Sequence, residues 1–514
     1  MMPIRVEGKL SQVLSGKQLL ELASDDLLSF LRGRRWFGAK AAAKAARVIT
    51  VLTLPWEAPA CAIAIVEVTL DDGAVTRYQL PLMVRSDDEP KTEERVVLAR
   101  IDAGIERGDL FDAVADPTFR DRLGSAFAQG ESFESDGSEW NVERVGAGID
   151  LAGVPSRLAG GEQSNSSIIY GDRAILKLFR RLEPGVHPDA ELSRFLTERT
   201  SFANTPKLGG LITIKDRDGH VTVAAMLSAM VSGATDGWDY TLARAREFLL
   251  ANESAKNGFI ADARALGAAT RALHEALATD ANDPEFAPMP ATEEDVVHWA
   301  EQAHEEIAGA LALLEKRVGT MDQLGAPAAR ALLARHDALE ERVGELADEV
   351  SEDAGMLIRH HGDFHLGQVL HAGDGRWMII DFEGEPARTL EDRRVRSSPL
   401  RDVAGMMRSF AYAVATVTAE LRRAPADARI ESRAARFERE ARKSFLDGYA
   451  AGPPSLARGE SSEPPAGILP KTSADIEALL ALFEIQKTFY ELAYELNNRP
   501  SWAWIPLRGI AKMF

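Results

Sequence analysis

The spacing of apolar residues changes once along this chain, near Gly233, and this change limits the folds that the chain can adopt. Before Gly233, apolar residues form short strand-like runs, such as 48–54 and 62–70. After it, long segments rich in Ala, Leu and Glu carry apolar residues at helical spacing, as at 293–317 and 328–350. Strands that are followed by helices, rather than alternating with them, predict a segregated α+β architecture.

Charge and composition narrow the class of protein. The chain has 514 residues and a formal net charge of -19, which disfavours nucleic acid or an anionic membrane surface as its partner. Cys61 is the single cysteine, so an intramolecular disulfide and a cysteine-rich zinc site are excluded. We expect no membrane span and no targeting sequence, and therefore a cytoplasmic protein.

Three regions are predicted along the chain. Residues 1–90 are expected to form a small β-rich domain, in which the turn Asp71-Asp72-Gly73 joins two strands as a hairpin. Residues 91–232 contain further short strands and a helix at 189–199. Residues 233–514 are expected to be mostly helical.

The strongest chemical signal is the segment HGDFHLGQ at 361–368, which is followed by Asp381 at the end of an apolar strand. Asp363, Gln368 and Asp381 provide three oxygen donors at one junction of loop and strand. Phosphoryl transfer needs a carboxylate that orients the attacking hydroxyl, and oxygen ligands that hold magnesium against the phosphates. The ordered set therefore indicates phosphoryl transfer, although a helix cap or a strand end would explain each residue taken alone.

These residues resemble the aminoglycoside phosphotransferase and choline kinase superfamily, whose members are relatives of the protein kinases. The narrower resemblance is to bacterial maltokinases, which phosphorylate maltose at its anomeric hydroxyl with ATP. It implies an α+β, bilobal, protein-kinase-like fold with a β-rich N-terminal cap subdomain, an ATP-binding N-lobe at 91–232 and a mostly helical C-lobe. The matching segments are RRWFGAKA (34–41), ATDGW (234–238), HGDFHLGQVL, IIDFEGEPA, SPLRDVAGMMRSFAYA (398–413) and NNRPSWAWIPLRGI (497–510).

The resemblance implies a role for each residue of the motif. Asp363 would be the catalytic base, and Gln368 and Asp381 would bind Mg2+. Gln368 stands where most of the superfamily has Asn, which looks like a maltokinase feature. Asp402 would brace the catalytic loop from a following helix. The implied product, maltose 1-phosphate, would feed α-glucan and glycogen synthesis.

The nucleotide site is predicted from Lys177, which lies inside an apolar run. A buried lysine needs an anionic partner; in kinases this is the ATP phosphates together with a helix glutamate, here Glu191. The alternative is an exposed lysine on an edge strand. The turn at 160–166 would cover the phosphates, and the backbone of 228–231 would bind adenine. The predicted residues are Gly160, Gly161, Gln163, Ser164, Asn165, Ser166, Ser228 and Met230.

The acceptor site is expected near Asp363. Aromatic faces suit the apolar side of a pyranose, and acids and amides suit its hydroxyls. Packing within the helical lobe explains each aromatic residue equally well. The candidate acceptor residues are His365, Glu383, Glu385, Arg388, Tyr490, Asn497 and Trp502.

Two alternatives stay open. One is a kinase for another small acceptor, such as glucosamine or an aminoglycoside, because the sequence does not rank the residues that face the sugar. The other is a non-catalytic partner of a trehalose- or maltose-converting enzyme. The presence of Lys177, Asp363, Gln368 and Asp381 argues against this second alternative, since a degenerate module would be expected to lose at least one of them. The resemblance is also compatible with an association between an active kinase and trehalose synthase.

Overall fold

A computed structural model of the chain contains two compact units. The first comprises Met1–Arg199 and Pro206–Ser232, and the second comprises Thr200–Thr205 and Gly233–Phe514. No helix in the described part of the chain is long and apolar enough to cross a bilayer. The structure describes residues 3–38, 42–57, 59–160, 165–252, 255–321, 325–351, 353–385, 388–421, 428–452 and 467–513.

The first unit begins with a sheet of strand order β1-β5-β6-β4-β3-β2. These strands are β1 (Ile4–Arg5), β2 (Ala43–Thr53), β3 (Cys61–Leu70), β4 (Val75–Ser86), β5 (Val97–Asp102) and β6 (Arg107–Asp112). The predicted hairpin is confirmed, since β3 and β4 pair antiparallel with Thr69 opposite Val75. Because β5 and β6 pair within the same sheet, we propose that the cap subdomain continues to Asp112, beyond the expected boundary at residue 90.

A second sheet completes the first unit, with strand order β7-β8-β13-β14-β11-β10-β9. Leu52 and Ile63 of the first sheet share one apolar core with Leu176 and Leu178 of the second. The strands are β7 (Ser132–Ser135), β8 (Ser138–Arg144), β9 (Ser156–Leu158), β10 (Ser166–Tyr170), β11 (Ala174–Leu178), β12 (Arg181–Leu182), which pairs with β4, β13 (Leu208–Lys215) and β14 (Val221–Ala229). The helices are α1 (Lys17–Leu20), α2 (Ser24–Arg32), α3 (Pro117–Gln129) and α4 (Pro188–Glu198).

The second unit is mostly helical, as predicted. Its helices are α5 (Gly237–Leu250), α6 (Ile260–Leu277), α7 (Glu293–Arg317), α8 (Ala326–Leu333), α9 (His336–Glu349), α10 (Leu390–Arg393), α11 (Leu400–Leu421), α12 (Ala428–Ala451), α13 (Ser473–Asn498) and α14 (Trp504–Met513). Its short strands are β15 (Thr235–Asp236), β16 (Met289–Pro290), β17 (Met356–Leu357), β18 (Val369–His371) and β19 (Trp377–Ile379).

One predicted helix is corrected by the structure. The segment 328–350 does not form a single helix, because the chain turns after α8 and begins α9 at His336. Arg335 leaves helical geometry with a ψ of 18°. No glycine or proline lies between the two helices, so the sequence carries no local signal for the break.

Two glycines allow α6 and α12 to pack closely. A Cβ atom at Gly267 would lie 2.0 Å from the carbonyl oxygen of Phe445, and one at Gly448 would lie 2.0 Å from that of Arg264. Atoms cannot approach so closely, so a side chain at either position would force the helices apart. This packing brings His274 of α6 within 2.9 Å of the Tyr449 hydroxyl on α12.

We expect Gly448→Ala to lower the free energy of unfolding by about 1–3 kcal/mol, because the added methyl overpacks a buried helix contact. Gly309→Ala is the matched control, since a Cβ atom at Gly309 in α7 would meet no neighbouring atom within 4 Å and should gain about 1 kcal/mol of helix propensity. Chemical denaturation of both variants checks the prediction. Equal stability of Gly448→Ala and the wild type would show that the two helices can separate without cost.

Candidate active site

The loop that carries Asp363 is fixed by the buried carboxylate of Asp402 on α11. Asp402 accepts hydrogen bonds from the backbone N–H groups of His361 (2.8 Å) and Gly362 (3.0 Å), and its Oδ2 lies 3.1 Å from Nε2 of His274. Burial alone would raise the pKa of Asp402, but the hydrogen bond with His274 and the neighbouring histidines hold it well below its ordinary value. The brace implied by the resemblance is therefore confirmed.

The ring of His361 ties this loop to the strand before Asp381. Its Nε2 lies 3.0 Å from the carbonyl oxygen of Ile380, and its Nδ1 lies 3.4 Å from the backbone nitrogen of Asp363. A carbonyl can only accept and a backbone N–H can only donate, so the ring is neutral with its proton on Nε2. His361 thus sets the position of Asp363 relative to the end of the strand.

Two carboxylates and the backbone of Gln368 lie at the end of this strand. Asp381 has a φ of 68°, which is uncommon for a residue other than glycine and is often found at functional sites. A carboxylate oxygen of Asp381 and one of Glu383 lie within 4.8 Å of each other. The backbone of Gln368 is anchored beside them, since its N–H donates to His365 and its carbonyl accepts from Ile380. These hard oxygen ligands fit magnesium.

Sequence reasoning missed Lys487, a lysine of α13 that lies beside Asp363. Its Nζ lies 2.8 Å from Oε1 of Glu385, 3.4 Å from Oδ1 of Asp363 and 4.7 Å from the centre of the Tyr490 ring. Burial alone would lower the pKa of Lys487, but the charges of Glu385 and Asp363 outweigh it and raise the pKa above its ordinary value. Lys487 is therefore positively charged at neutral pH and joins two of the predicted site residues.

Glu385 and Arg388 form an ion pair next to this lysine. The Nε of Arg388 donates to Oε2 of Glu385 at 2.9 Å, while Lys487 occupies the other carboxylate oxygen. Burial would raise the pKa of Glu385, but the two cations lower it below its ordinary value. Glu385 is therefore an ionised group whose hydrogen-bonding capacity is largely satisfied within the protein.

His365 lies on the other side of Asp363. Its Nδ1 accepts the backbone N–H of Gly367 at 3.0 Å, so the proton of the neutral ring is on Nε2, which lies 3.7 Å from Oδ2 of Asp363. Burial lowers the pKa of His365, and Asp363 only partly offsets this effect. A neutral His365 can donate one hydrogen bond towards an acceptor substrate next to Asp363.

Two pockets of the second unit meet at Lys487 and Tyr490. We call the first the aromatic pocket. The residues that line it and not the second include Trp238, His365, Tyr412, Tyr494 and Trp502. We call the second the charged pocket. The residues that line it and not the first include Glu306, Gly362, Phe364, Glu385, Arg388 and Arg401.

The two pockets contain most of the residues predicted to bind the acceptor. His365, Tyr490 and Trp502 line the aromatic pocket, whereas Glu385 and Arg388 line the charged pocket. Glu383 and Asn497 line neither, and Asn497 is exposed on α13. Trp238 comes from the ATDGW segment, so this segment and the aromatic tail form parts of one pocket.

In the first unit, Asp189 is an acid that lies beside Lys177. The Nζ of Lys177 lies 3.7 Å from Oδ2 of Asp189, a buried carboxylate in the first turn of α4. Because Lys177 is three-quarters buried and faces this acid, it is not the exposed edge-strand lysine of the alternative interpretation. The role of Glu191, two residues further along α4, stays a prediction.

The predicted phosphate-covering turn is described only in part. Gly161, Gln163 and Ser164 lie outside the described residues. Gly160 is exposed and Asn165 is half-buried. The hydroxyl of Ser166 accepts a hydrogen bond from Nε of Arg180 at 2.8 Å. Nucleotide binding by this turn stays a prediction.

The segment predicted to bind adenine lies at the end of β14. Ser228 is paired with Ile175 across the sheet, and the N–H of Met230 donates to the carbonyl of Arg173 at 2.8 Å. Met230 can therefore offer a base its carbonyl oxygen but not its N–H. Adenine binding by Ser228 and Met230 also stays a prediction.

Comparisons with known proteins show the family. A family model described as the maltokinase N-terminal cap domain matches residues 30–116. A glucosamine kinase of Streptacidiphilus jiangxiensis is 30% identical over 353 residues, which cover 67% of this chain and 70% of that protein. A glucosamine kinase of Mycolicibacterium smegmatis is 29% identical over 347 residues, which cover 67% and 76%. This chain belongs to the same family of kinases.

A solved structure confirms the fold. A glucosamine kinase in complex with glucosamine, ADP and inorganic phosphate superposes with a TM-score of 0.65 at 23% identity, covering 99% of this chain and 100% of that one. The chain therefore has the bilobal kinase-like fold that the resemblance implied, with a β-rich N-terminal unit and a mostly helical C-terminal unit.

We expect Asp402→Asn to lower both the rate of the catalysed reaction and the melting temperature. An amide nitrogen would face one of the two backbone N–H groups, so a buried donor would lose its acceptor at a cost of about 1–3 kcal/mol. Asp447→Asn, which removes an exposed partner of Lys443 on α12, is the matched control. Calorimetry together with initial rates checks the prediction; a variant with unchanged stability and rate would refute the bracing role of Asp402.

Proposed function

We propose that this protein is an ATP-dependent sugar kinase that transfers the γ-phosphate of ATP to a hydroxyl of a sugar. The observation that carries the proposal is the position of Asp363. Its carboxylate lies on a braced loop, within 3.7 Å of His365 and 3.4 Å of Lys487, two residues that line the aromatic pocket. A sugar in this pocket would place a hydroxyl within reach of a base.

Asp363 would accept the proton of the attacking hydroxyl as the sugar oxygen bonds to the γ-phosphorus and the bond to ADP breaks. Lys487 positions Asp363 from one side and His365 can hydrogen-bond the sugar from the other. Little covalent chemistry is required of the protein, so the rate depends on how accurately the loop holds these groups.

Magnesium fits the oxygen donors at the end of β19. We propose that Gln368 and Asp381 bind it, with the neighbouring Glu383 as a further ligand. When bound, the ion would neutralise the charge of the phosphates. Glu383 was expected from the sequence to face the sugar; its carboxylate beside Asp381 supports the metal role instead.

We further propose maltose as the acceptor. The aromatic pocket offers broad ring faces, which suit a second pyranose, and its two glutamates are already paired: Glu491 with Arg408 and Glu495 with Arg499. The pocket therefore holds no unpaired carboxylate for a cationic amino sugar among the described residues. The match to the maltokinase cap model supports the same acceptor.

Glucosamine is the second candidate, and Glu306 favours it. Glu306 lines the charged pocket, and within the described residues it forms no ion pair. Burial raises its pKa, and the nearby charge of Glu385 adds to this effect. An ammonium group bound beside Glu306 would stabilise its ionised carboxylate and so offset the free-energy cost of burying that charge. The names of the relatives support the same acceptor.

We expect Asp363→Asn to reduce turnover by about 10²-fold or more while nucleotide still binds, because the amide keeps the shape of the side chain but cannot accept the proton. The measurement pairs the rate of ADP release with nucleotide affinity by calorimetry. Asp374→Asn, an exposed aspartate that bonds Arg376 in the turn between β18 and β19, should be neutral. Turnover like that of the wild type in Asp363→Asn would remove Asp363 from the mechanism.

The acceptor is tested by comparing kcat/KM for maltose, glucose and glucosamine. We expect maltose to exceed glucose by about tenfold or more, because contacts to a second ring help to position the reacting hydroxyl. Trp502→Ala should lower the ratio of kcat/KM for maltose to kcat/KM for glucose. Trp504→Ala should leave this ratio unchanged, since Trp504 lines neither pocket.

A different ranking would identify the other acceptor. A preference for glucosamine that is lost in Glu306→Gln would assign the amino sugar and refute maltose. Equal efficiencies for maltose and glucose would refute a site for the second ring, while the kinase assignment would stand.

A further inference from the structure

The RRWF segment of the cap lines a basic cavity in the first unit. The protein carries a net charge of -19, yet the charged residues among the described lining of this cavity are six cations and two acids. The cations are Arg34, Arg35, Arg85, Lys91, Arg95 and Arg180, and the acids are Glu93 and Asp112. Such a local excess of positive charge, in an acidic protein, attracts anions.

Three of the cations have acid partners and three do not. Arg180 pairs with Asp112 at 2.7 Å, Arg95 pairs with Glu93, and Arg85 pairs with Asp116 outside the cavity wall. Arg34, Arg35 and Lys91 form no ion pair within the described residues. The cavity therefore keeps a positive charge that the acids among its described lining residues do not neutralise.

Several contacts hold the side chain of Arg180 in place in this cavity. Its side chain is only 2% exposed and is held by Asp112, by the Ser166 hydroxyl at 2.8 Å and by the face of Trp36 at 4.8 Å. Its Nη1 is buried and has no hydrogen-bond partner among the described residues. A buried guanidinium donor without an acceptor is costly, and an anion in the cavity would supply that acceptor.

Arg34 adds a second donor of the same kind. Its Nε is also buried without a hydrogen-bond partner among the described residues. Burial lowers the pKa of Arg34; Asp112 partly offsets this, whereas Arg180 and Arg95 add to it. An anion bound here would relieve the mutual repulsion of the three guanidinium groups.

Among the described residues, Lys177 does not line this cavity, whereas Gly160, Asn165 and Ser166 of the predicted phosphate-covering turn do. Along β11 the side chains alternate, so Leu176 and Leu178 enter the large apolar core, while Lys177 lies over the ring of Phe179 in another cluster. Arg180 contacts Asp112. The two residues that follow Asp112 in the chain, Ala113 and Val114, belong to the same large apolar core as Leu176 and Leu178. The cavity therefore adjoins the predicted phosphate-covering turn and does not include Lys177 among its described lining residues.

We propose that this cavity binds a phosphate group of a small metabolite, at a site formed by the cap and the adjoining sheet, beside the predicted phosphate-covering turn and outside the two pockets of the second unit. Phosphate fits because planar guanidinium groups recognise its oxygens in pairs and its negative charge is attracted by the three cations that lack an acid partner among the described residues. Thr92 lines the same cavity, and its hydroxyl, which accepts a hydrogen bond from Arg85, keeps its own proton to donate to a phosphate oxygen. The proposal does not depend on which sugar the kinase phosphorylates.

The test is a calorimetric titration of the whole protein with inorganic phosphate and with glucose 6-phosphate. Glucose is the uncharged control. We expect both anions to bind and the double variant Arg34→Gln/Arg35→Gln to weaken binding by about tenfold or more. Arg107→Gln removes an exposed arginine of β6 outside the cavity and should leave binding unchanged. Lys177→Met should also leave it unchanged. Lys91→Gln is a second, exposed variant if the double variant does not fold.

The outcomes separate the possibilities. Tighter binding of glucose 6-phosphate than of phosphate would assign the site to a phosphorylated metabolite, and equal binding would assign it to free phosphate. Phosphate binding that is lost in Lys177→Met but kept in the arginine and Lys91 variants would place the anion at the nucleotide site and overturn the proposal. So would an absence of binding to the wild type.

Discussion

Asp402 accepts hydrogen bonds from two consecutive backbone N–H groups of the loop that carries Asp363, and it contacts His274 of a second helix. A buried carboxylate is stable only when such donors surround it, so the loop and α6 must both keep their places around α11. The positive φ of Gly362, 82°, is part of this arrangement, because it turns the second N–H towards the carboxylate. The close packing of α6 on α12 through Gly267 and Gly448 supports the same chain of contacts.

The second constraint is the charge balance around Lys487. One buried cation lies between two carboxylates, one of which is the proposed base, and Arg388 contributes a further cation to the other. This arrangement holds Asp363 in place and leaves about a fifth of the Asp363 side chain exposed. In the mechanism that we propose, acceptor choice and proton transfer are linked, because Lys487 lines both the aromatic and the charged pocket.

Sequence could predict what is local and could not predict what the fold brings together. Asp363, Gln368 and Asp381 lie within 19 residues of one another, and their spacing predicted a shared junction. Helix α7 was predicted with its observed bounds because its apolar period is regular. Lys487 lies 124 residues from Asp363, and its own surroundings in α13 look like those of any partly polar helix. The cavity was missed for the same reason, since Arg180 pairs with Asp112, which lies 68 residues earlier in the chain.

The central claim is that a sugar bound in the aromatic pocket presents a hydroxyl to Asp363. A crystal structure of the protein with maltose, magnesium and a non-hydrolysable ATP analogue tests it most directly. The account predicts sugar rings against the aromatic side chains, with one hydroxyl oxygen about 2.6–3.2 Å from the Asp363 carboxylate and the γ-phosphate in line with it. A sugar bound elsewhere, with no hydroxyl within reach of Asp363, would contradict the account.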